Sequence, residues 1–460
     1  MSIETPRVSV VGSGYVGTVV AACFASLGHR VVGVEVDPKK LDDLSAGISP
    51  FFESGLEDLL RAGLLGGRLR FTNDYADAMS ASDVVFLCLG TPSLPDGRAD
   101  MRAMETAARS IAANLTHHHV LVTKSTVPIG SGNWLASVVE DALPGEADPE
   151  SLFSVVSNPE FLREGSAIND FLYPDRVVLG SDAPAAIETV AALYRPILDQ
   201  SFTNGRPDLR PPLVRTKLTT AETVKYASNA FLATKISFVN EIANICELVG
   251  ADITEVTTAM GLDERIGSLF LDAGVGWGGS CFGKDLASLV SSAKEFGYRA
   301  DLLQAAIDVN NAQRRLVIEK LQGHLKTLRG QRIALLGLAF KPGTDDLRDA
   351  PSIDLAQRLV MLNAVVSAHD PVVQQAPVIE GYLRIASTPY EAADRADAVV
   401  LMTEWPEYLA LDLDKLADKM RGNLFIDGRN LFNPEEMTAK GFDYEGIGRV
   451  QTRRGAVIRS

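Results

Sequence analysis

Basic charge is in deficit. The 460 residues carry 44 Lys and Arg against 59 Asp and Glu, a formal net charge of −15. A chain this acidic is a poor general binder of nucleic acid or anionic membrane, and an anionic ligand needs a local basic pocket set against that field. Cysteine is scarce as well. Cys23, Cys88, Cys246 and Cys281 lie far apart, with no CxxC and none near a histidine at metal-ligand spacing. That pattern argues against a disulfide framework and a zinc or other metal site, and it fits a reducing, cytoplasmic setting. Histidine is limited to six, and none falls in the motifs below, so proton transfer falls to lysine, carboxylate or water. His117, His118 and His119 read as a polar triplet at a helix end, on the surface. Charge-free runs long enough for a bilayer are nearly absent. Val8 to Gly28 is one of 21 residues, but it is interrupted by Gly12-Ser13-Gly14, and Glu4 with Arg7 makes a poor signal-peptide start. A buried strand entering a buried helix explains it, and no targeting or membrane-spanning segment is expected.

What is present is ordinary globular composition, 46% hydrophobic and 22% charged. The length allows about three units of roughly 150 residues. Val8–Val11, Val31–Val36, Val84–Leu89 and Val120–Thr123 are continuous apolar runs alternating with helical stretches. They read as parallel strands covered on both faces, a doubly wound α/β arrangement. The pattern returns in Arg332–Leu338, Ala364–His369, Ala398–Met402 and Leu424–Ile426. Between them, Thr220–Val249 has neither Pro nor Gly and predicts one long helix, the spine of a central helical region or a dimer contact. Ser201–Pro212 reads as a polar surface loop, and the tail after Val450 as flexible. The expected division is 1–200, 214–310 and 325–450.

The first chemical motif is Gly12-Ser13-Gly14-Tyr15-Val16-Gly17, after a strand and opening a helix. Its glycines permit a tight turn and let backbone N–H groups approach a pyrophosphate. Glu35 ends the next strand, 18 residues beyond Gly17, where it would bind a ribose diol and disfavour a 2′-phosphate. That favours NAD, with Lys39 and Lys40 weakening the preference slightly. The alternative is a turn that only packs strand on helix. The second motif, Gly274 to Asp285, holds five glycines in its first ten residues, which bring backbone close to something. A helix Lys284–Phe296 is expected just after Cys281. A thiol at a helix N-terminus beside Lys284 has a lowered pKa, and Asp285 lies one turn on. Most cysteines end as small buried hydrophobes. Cys23, Cys88 and Cys246 fit that fate, whereas Cys281 is surrounded by glycine and charge.

Lys225 and Asn229 share a helical face at i, i+4. They could stabilise an oxyanion, but the pair alone reads better as a solvated face. Ser157 to Gly165 (SNPEFLREG), Gly90-Thr91-Pro92 and Lys124-Ser125-Thr126-Val127-Pro128 read as loops at strand ends, where ligands bind in such folds. Phe340 to Arg348 offers two cations for phosphates, or is a solvated loop.

Seven pieces stand in one order: GSGYVG, KSTVPIG, NPEFLREGSAIND, the Lys225/Asn229 helix, RIG followed by GWGGSCFGKD, FKPGTDDLRDAPS and FIDGR. With them the chain resembles, over nearly its whole length, the nucleotide-sugar dehydrogenase family (UDP-glucose/GDP-mannose dehydrogenases), and most closely its UDP-glucose branch. The resemblance implies two Rossmann-like doubly wound domains joined by a central helical region, NAD as cofactor and a homodimer. It implies four-electron oxidation of UDP-glucose at C6, through a thiohemiacetal and a thioester on Cys281, with GDP-mannose as the alternative substrate. Lys225 and Asn229 would stabilise alkoxide and oxyanion, Asp285 and Thr126 would position water, and Glu160 would be the general base of hydrolysis. Gly12, Gly14, Tyr15, Val16, Gly17, Glu35, Lys39, Thr91, Thr126, Glu164, Lys284 and Arg348 would face the cofactor. Phe161, Leu162, Arg163, Glu164, Lys225, Asn229, Phe270, Leu271, Ala273, Trp277, Gly278 and Lys341 would line the substrate site. Arg429 would reach the substrate, as would Arg265 across the dimer. The chain departs from the family's usual pattern at Trp277, where Phe or Tyr is common, and at Gly283. Ser280, in place of a histidine, argues against N-acetylmannosamine nucleotides. A two-electron 3-hydroxyacid-type dehydrogenase, which has no need of Cys281, and a non-enzymatic nucleotide sensor are the rival readings.

Overall fold

The computed structural model describes residues 6–145, 148–377 and 381–449. The tail beyond Val450 lies outside them. The chain divides into two compact units. The first takes residues up to Ser228 together with Ala287–Tyr298, and the second takes Asn229–Leu286 and the residues from Arg299 on.

The first unit is built on eight strands: β1 (Val8–Val11), β2 (Val31–Val34), β3 (Leu69–Thr72), β4 (Val84–Leu87), β5 (His119–Thr123), β6 (Phe153–Ser157), β7 (Val177–Gly180) and β8 (Leu213–Thr216). Their order is β3-β2-β1-β4-β5-β6-β7-β8, parallel except where β7 meets β6. Alternate residues of each central strand feed two cores, one on each face. Val84 and Phe86 enter one, while Val85 and Leu87 enter the other. This is why those strands read as unbroken apolar runs. The order reverses between β1 and β4, which opens a crevice at their carboxyl ends.

The second unit repeats the plan with six parallel strands, β9 (Arg332–Leu336), β10 (Val365–His369), β11 (Leu383–Ile385), β12 (Ala398–Leu401), β13 (Leu424–Asp427) and β14 (Asp443–Glu445). Their order is β11-β10-β9-β12-β13-β14. The fold is therefore α/β with two doubly wound sheets, plus helices that include the 32-residue Leu218–Val249. No helix of the described residues is long and apolar enough to cross a membrane. The charge-free run from Val8 is β1 followed by the helix Tyr15–Ser26.

Candidate active site

In the first unit the glycine turn joins β1 to the helix Tyr15–Ser26. A Cβ on Gly17 would run into the Gly12 carbonyl oxygen, so helix and strand can pack this closely only through glycine. At Gly14 the opposite holds, since nothing lies within 4 Å of where a Cβ would be. Gly14 caps the helix without a side chain, leaving the first-turn amides of a 12-residue helix to face an anion. Glu35 follows β2, is nearly buried, and is braced by the Asp37 N–H, which donates to its Oε1 at 2.9 Å. Lys39 is exposed on the next helix. A pyrophosphate at Gly14 and a ribose at Glu35 fit this arrangement.

The loops after β4, β5 and β6 sit along the same edge. Thr91 donates to the Thr126 carbonyl at 2.7 Å. Tyr15, beside half-buried Val16, donates its hydroxyl to Glu53. Glu53 also accepts the Gly165 and Ala167 N–H groups at 2.7 and 2.9 Å. It thereby ties the dinucleotide turn to the 160s loop, with half-buried Glu164 next to the tie. Burial and the Glu53 hydrogen bond push the Tyr15 phenol well up, so it stays a donor.

Ser125, Thr126, Val127, Ser157, Pro159, Glu222, Lys225 and Tyr226 line a cleft of about 210 Å³, open solvent included. Within this unit the Lys225 ammonium meets Glu160 Oε1 at 2.9 Å, with side chains only 6% and 5% exposed. Glu160 Oε2 accepts the Leu162 N–H at 2.6 Å. The Phe161 ring has the Arg176 guanidinium 3.8 Å from its centroid and the Lys225 ammonium 5.6 Å from it. Arg163 points away into a bidentate pair with Asp170. Glu222 accepts the Gly130 and Gly132 N–H groups at 2.6 and 2.7 Å, while burial draws its carboxyl above the usual range.

The second unit holds a different cluster. Asn229 donates to Asp285 Oδ2 at 2.6 Å, and Lys284 donates to Oδ1 at 2.7 Å. Both oxygens of a carboxylate that is 1% exposed are thus fixed. Cys281 directly precedes the helix Phe282–Glu295, and the Asp285 N–H donates to its carbonyl at 2.9 Å. Its thiol is partly exposed, with Ser280 Oγ 3.5 Å away. Trp277 is buried and is clamped by Asn310, which accepts from its N–H at 2.8 Å and donates to its carbonyl at 3.0 Å. The Phe282 ring centroid lies 6.3 Å from that of Trp277 and 6.4 Å from that of Phe270. Leu271 and Ala273 are buried beside this segment. The Arg429 guanidinium reaches the Met402 carbonyl at 2.9 Å and the Gly276 carbonyl at 3.5 Å. Arg265 is largely exposed and paired with Asp263. Arg348, itself exposed, is paired with the largely buried Asp346 in the stretch after β9, and Lys341 lies over the Phe340 ring.

Three family models decide the matter. The UDP-glucose/GDP-mannose dehydrogenase NAD binding, central and UDP binding domains match residues 6–198, 219–312 and 334–434. The chain belongs to the UDP-glucose/GDP-mannose dehydrogenase family. It is 46% identical over 450 residues to a UDP-glucose 6-dehydrogenase of Rhizobium meliloti, covering 96% of this chain and 99% of that one. To the UDP-glucose 6-dehydrogenase TuaD of Bacillus subtilis it is 43% identical, covering 97% and 94%. A solved UDP-glucose dehydrogenase from Pyrobaculum islandicum superposes with a TM-score of 0.88 at 37% identity, covering 98% and 99%. The chain is an NAD-dependent dehydrogenase.

Knowing the family sharpens where the structure departs from the sequence reading. Lys225 and Asn229 do not form a solvated face; both are buried, each on an acidic partner. The glycines of the second motif approach their own chain. A Cβ on Gly278 would collide with the Asp349 carbonyl, and one on Gly276 would lie 2.6 Å from Asn310 Oδ1. His119 is no surface residue. It starts β5 fully buried, its ring between the carbonyls of Met79 and His117, because the strand begins at the last residue of the triplet. The helix after Cys281 starts at Phe282, two residues earlier than the charge pattern indicated. Glu222, Glu53, Arg176 and Asn310 were not singled out from sequence. Glu222 had a signal, since it lies three residues before Lys225 on the helix.

Proposed function

We propose that this dehydrogenase oxidises UDP-glucose at C6 to UDP-glucuronate in two hydride transfers, with Cys281 as nucleophile between them. The observation that carries the reading is Cys281 itself. It is a partly exposed thiol at the start of a 14-residue helix, one turn from a buried, doubly hydrogen-bonded Asp285. Relatives of 43–46% identity named UDP-glucose 6-dehydrogenase support the substrate. The turn at Gly14, the helix start and Glu35 would hold NAD, which accepts the hydride in both oxidations.

The C6 alcohol gives its hydroxyl proton to a water and its hydride to the cofactor to become an aldehyde, the Lys225 ammonium stabilising alkoxide character on the oxygen. The Cys281 thiolate adds to the aldehyde carbon, forming a C–S bond and a thiohemiacetal. Loss of a second hydride leaves a thioester. Asp285 and Thr126 orient a water, Glu160 takes its proton, and the C–S bond breaks to return the thiol and release the carboxylate. Asn229 steadies the oxyanion as well as Asp285. Covalent capture keeps the aldehyde from escaping between the oxidations.

The division 1–200, 214–310 and 325–450 and a homodimer belong to the same proposal. Phe231, Phe238 and Ile245, spaced by seven on the long helix and 66%, 48% and 47% exposed, support a helix face that pairs with a second copy. Four free cysteines are in keeping with the cytoplasm. The test is an NADH count with limiting UDP-glucose and excess NAD. Two NADH per sugar with an acid product is expected. One NADH with aldehyde release would leave Cys281 without this role, and turnover on GDP-mannose alone would move the substrate assignment.

A further inference from the structure

The glycines before Cys281 cannot hold their own shape. Gly276 and Gly279 stand at φ 97° and 84°, and a glycine-rich stretch is freer than any other when left to itself. It must be held from outside. Its upstream end is held by neutral groups. Asn240 accepts the Gly274 N–H at 2.8 Å, Gln313 donates to the Gly274 carbonyl at 2.8 Å, and Asn310 clamps Trp277 from both sides. Its downstream end rests on Arg348 and Asp349, in the stretch after β9. The Gly279 N–H donates to the Arg348 carbonyl at 3.1 Å. Asp349 flanks the cysteine before and after: its carbonyl closes over Gly278, and its Oδ2 would lie 3.2 Å from a Cβ on Gly283. Asp349 itself has φ 50°, a left-handed backbone that costs a non-glycine residue energy unless its surroundings support it. Arg314 supplies that support. From the helix Asp301–Leu325 its Nη1 donates to Asp349 Oδ1 at 2.6 Å, while Nη2 donates to the Asp349 carbonyl at 3.0 Å and to the Trp277 carbonyl at 2.8 Å. The Arg314 side chain is only 11% exposed, so solvent competes little for these bonds. All of these residues belong to the second unit.

We infer that Arg314 is a positioning residue for Cys281: its guanidinium joins the Trp277 carbonyl to Asp349 and so seats the glycine segment that presents the thiol. Its bearing on turnover rests on the proposed role of Cys281 as nucleophile. A fork is what the place demands. Arginine meets several acceptors with one rigid plane, whereas a lysine ammonium is a point charge that serves Asp349 or the Trp277 carbonyl, but not both well.

The experiment measures two rates, per folded molecule and well below the melting temperature, in wild type, Arg314→Met and Arg314→Lys. One is kcat with UDP-glucose and NAD. The other is alkylation of Cys281 by iodoacetamide, followed by peptide mapping in the absence of substrate. A misplacement of about 1 Å costs about 100-fold in turnover, so kcat of Arg314→Met is expected to fall by about that factor. Alkylation is expected to rise several-fold, because a loosened segment uncovers the thiol. Opposite movement of the two rates is the signature of positioning, since a purely structural arginine would change the folded fraction and leave both rates per folded molecule alone. An Arg314→Met enzyme that melts earlier but keeps both rates would therefore overturn the inference. If Arg314→Met does not fold, Arg314→Lys carries the test: both rates are expected to move the same way by less, and unmoved rates there would equally refute it. Alkylation needs no turnover. It reads the seat of the thiol even if UDP-glucose proves not to be the substrate or Cys281 not the nucleophile, and an equal alkylation rate in all three enzymes would sink the inference.

Discussion

Glu160→Gln keeps the shape of the side chain and removes its charge. In the wild type one oxygen accepts the Lys225 ammonium at 2.9 Å and the other the Leu162 N–H at 2.6 Å. An amide has a single acceptor oxygen, so one of the two donors must face an NH2 group. With the pair about 5% exposed at the lining of the cleft, water makes good only part of the loss. Stranding a buried charge costs about 3–5 kcal/mol. Lys225→Met strands the carboxylate instead and should cost about the same. The double variant strands neither, because the amide oxygen turns to Leu162 N–H and the methionine packs against Phe161. Its loss should be about 1 kcal/mol, leaving a coupling of several kcal/mol. Differential scanning calorimetry is the assay of choice, since two compact units can unfold in separate steps. NADH production measured on the same samples separates stability from chemistry. All three variants should lose turnover, while the double variant regains stability. Single variants within about 1 kcal/mol of wild type, and additive in the double, would mean that the pair is worth no more than a surface pair. A double variant that recovered turnover would remove both groups from the reaction.

Gly17→Ala should misfold or melt early, because its Cβ has no room beside the Gly12 carbonyl, whereas Gly14→Ala should keep the wild-type melting temperature and raise KM for NAD; equal melting losses would contradict this. Iodoacetamide should label Cys281 first, with loss of activity and protection by UDP-glucose. Cys23, Cys88 and Cys246 are buried, and burial pushes the Cys88 thiol up to about 12; peptide mapping with equal labelling of all four would count against it. Lys124, at about 8 when folded against an ordinary 10.5, binds its proton less tightly than in the unfolded chain. Urea unfolding of wild type relative to Lys124→Met should therefore show stability rising between pH 8 and 10.5, and a flat difference would argue that the ammonium is solvated. Phe231→Glu should shift light-scattering mass from dimer to monomer, and an unchanged mass would move the interface elsewhere.

Much of the site was legible because its signals are local. The glycine turn, Glu35 at its spacing and Cys281 amid glycines each lie within one short stretch. The Lys225–Glu160 pair was not legible as a pair, since 65 residues separate the two and only the sheet brings the loop after β6 to the long helix. Strands followed the same logic. Most central strands announced themselves as apolar runs because both faces are buried, but Phe153–Ser157 and Val177–Gly180 were missed although they lie inside the sheet, the first being flanked by serines and the second only four residues long. Edge strands such as Leu69–Thr72, Leu383–Ile385 and Asp443–Glu445 did not, because at a sheet margin alternate residues face water and carry Arg, Thr, Asp or Glu. Likewise β5 hides its first residue in a histidine triplet, since a buried histidine satisfied by two carbonyls leaves no mark in composition.

The glycines before Cys281 have a consequence for descent. Gly276 and Gly278 are demanded by Asn310 and by the Asp349 carbonyl, groups that belong to the architecture. A duplicated copy that had lost its thiol, and with it the proposed chemistry, would still be under selection to keep those glycines simply in order to fold. The motif would then survive as a fossil of the scaffold. When genomes are surveyed for this activity, the glycine pattern dates the ancestry of a chain, and on the proposed mechanism the single sulfur atom at position 281 speaks for its present employment.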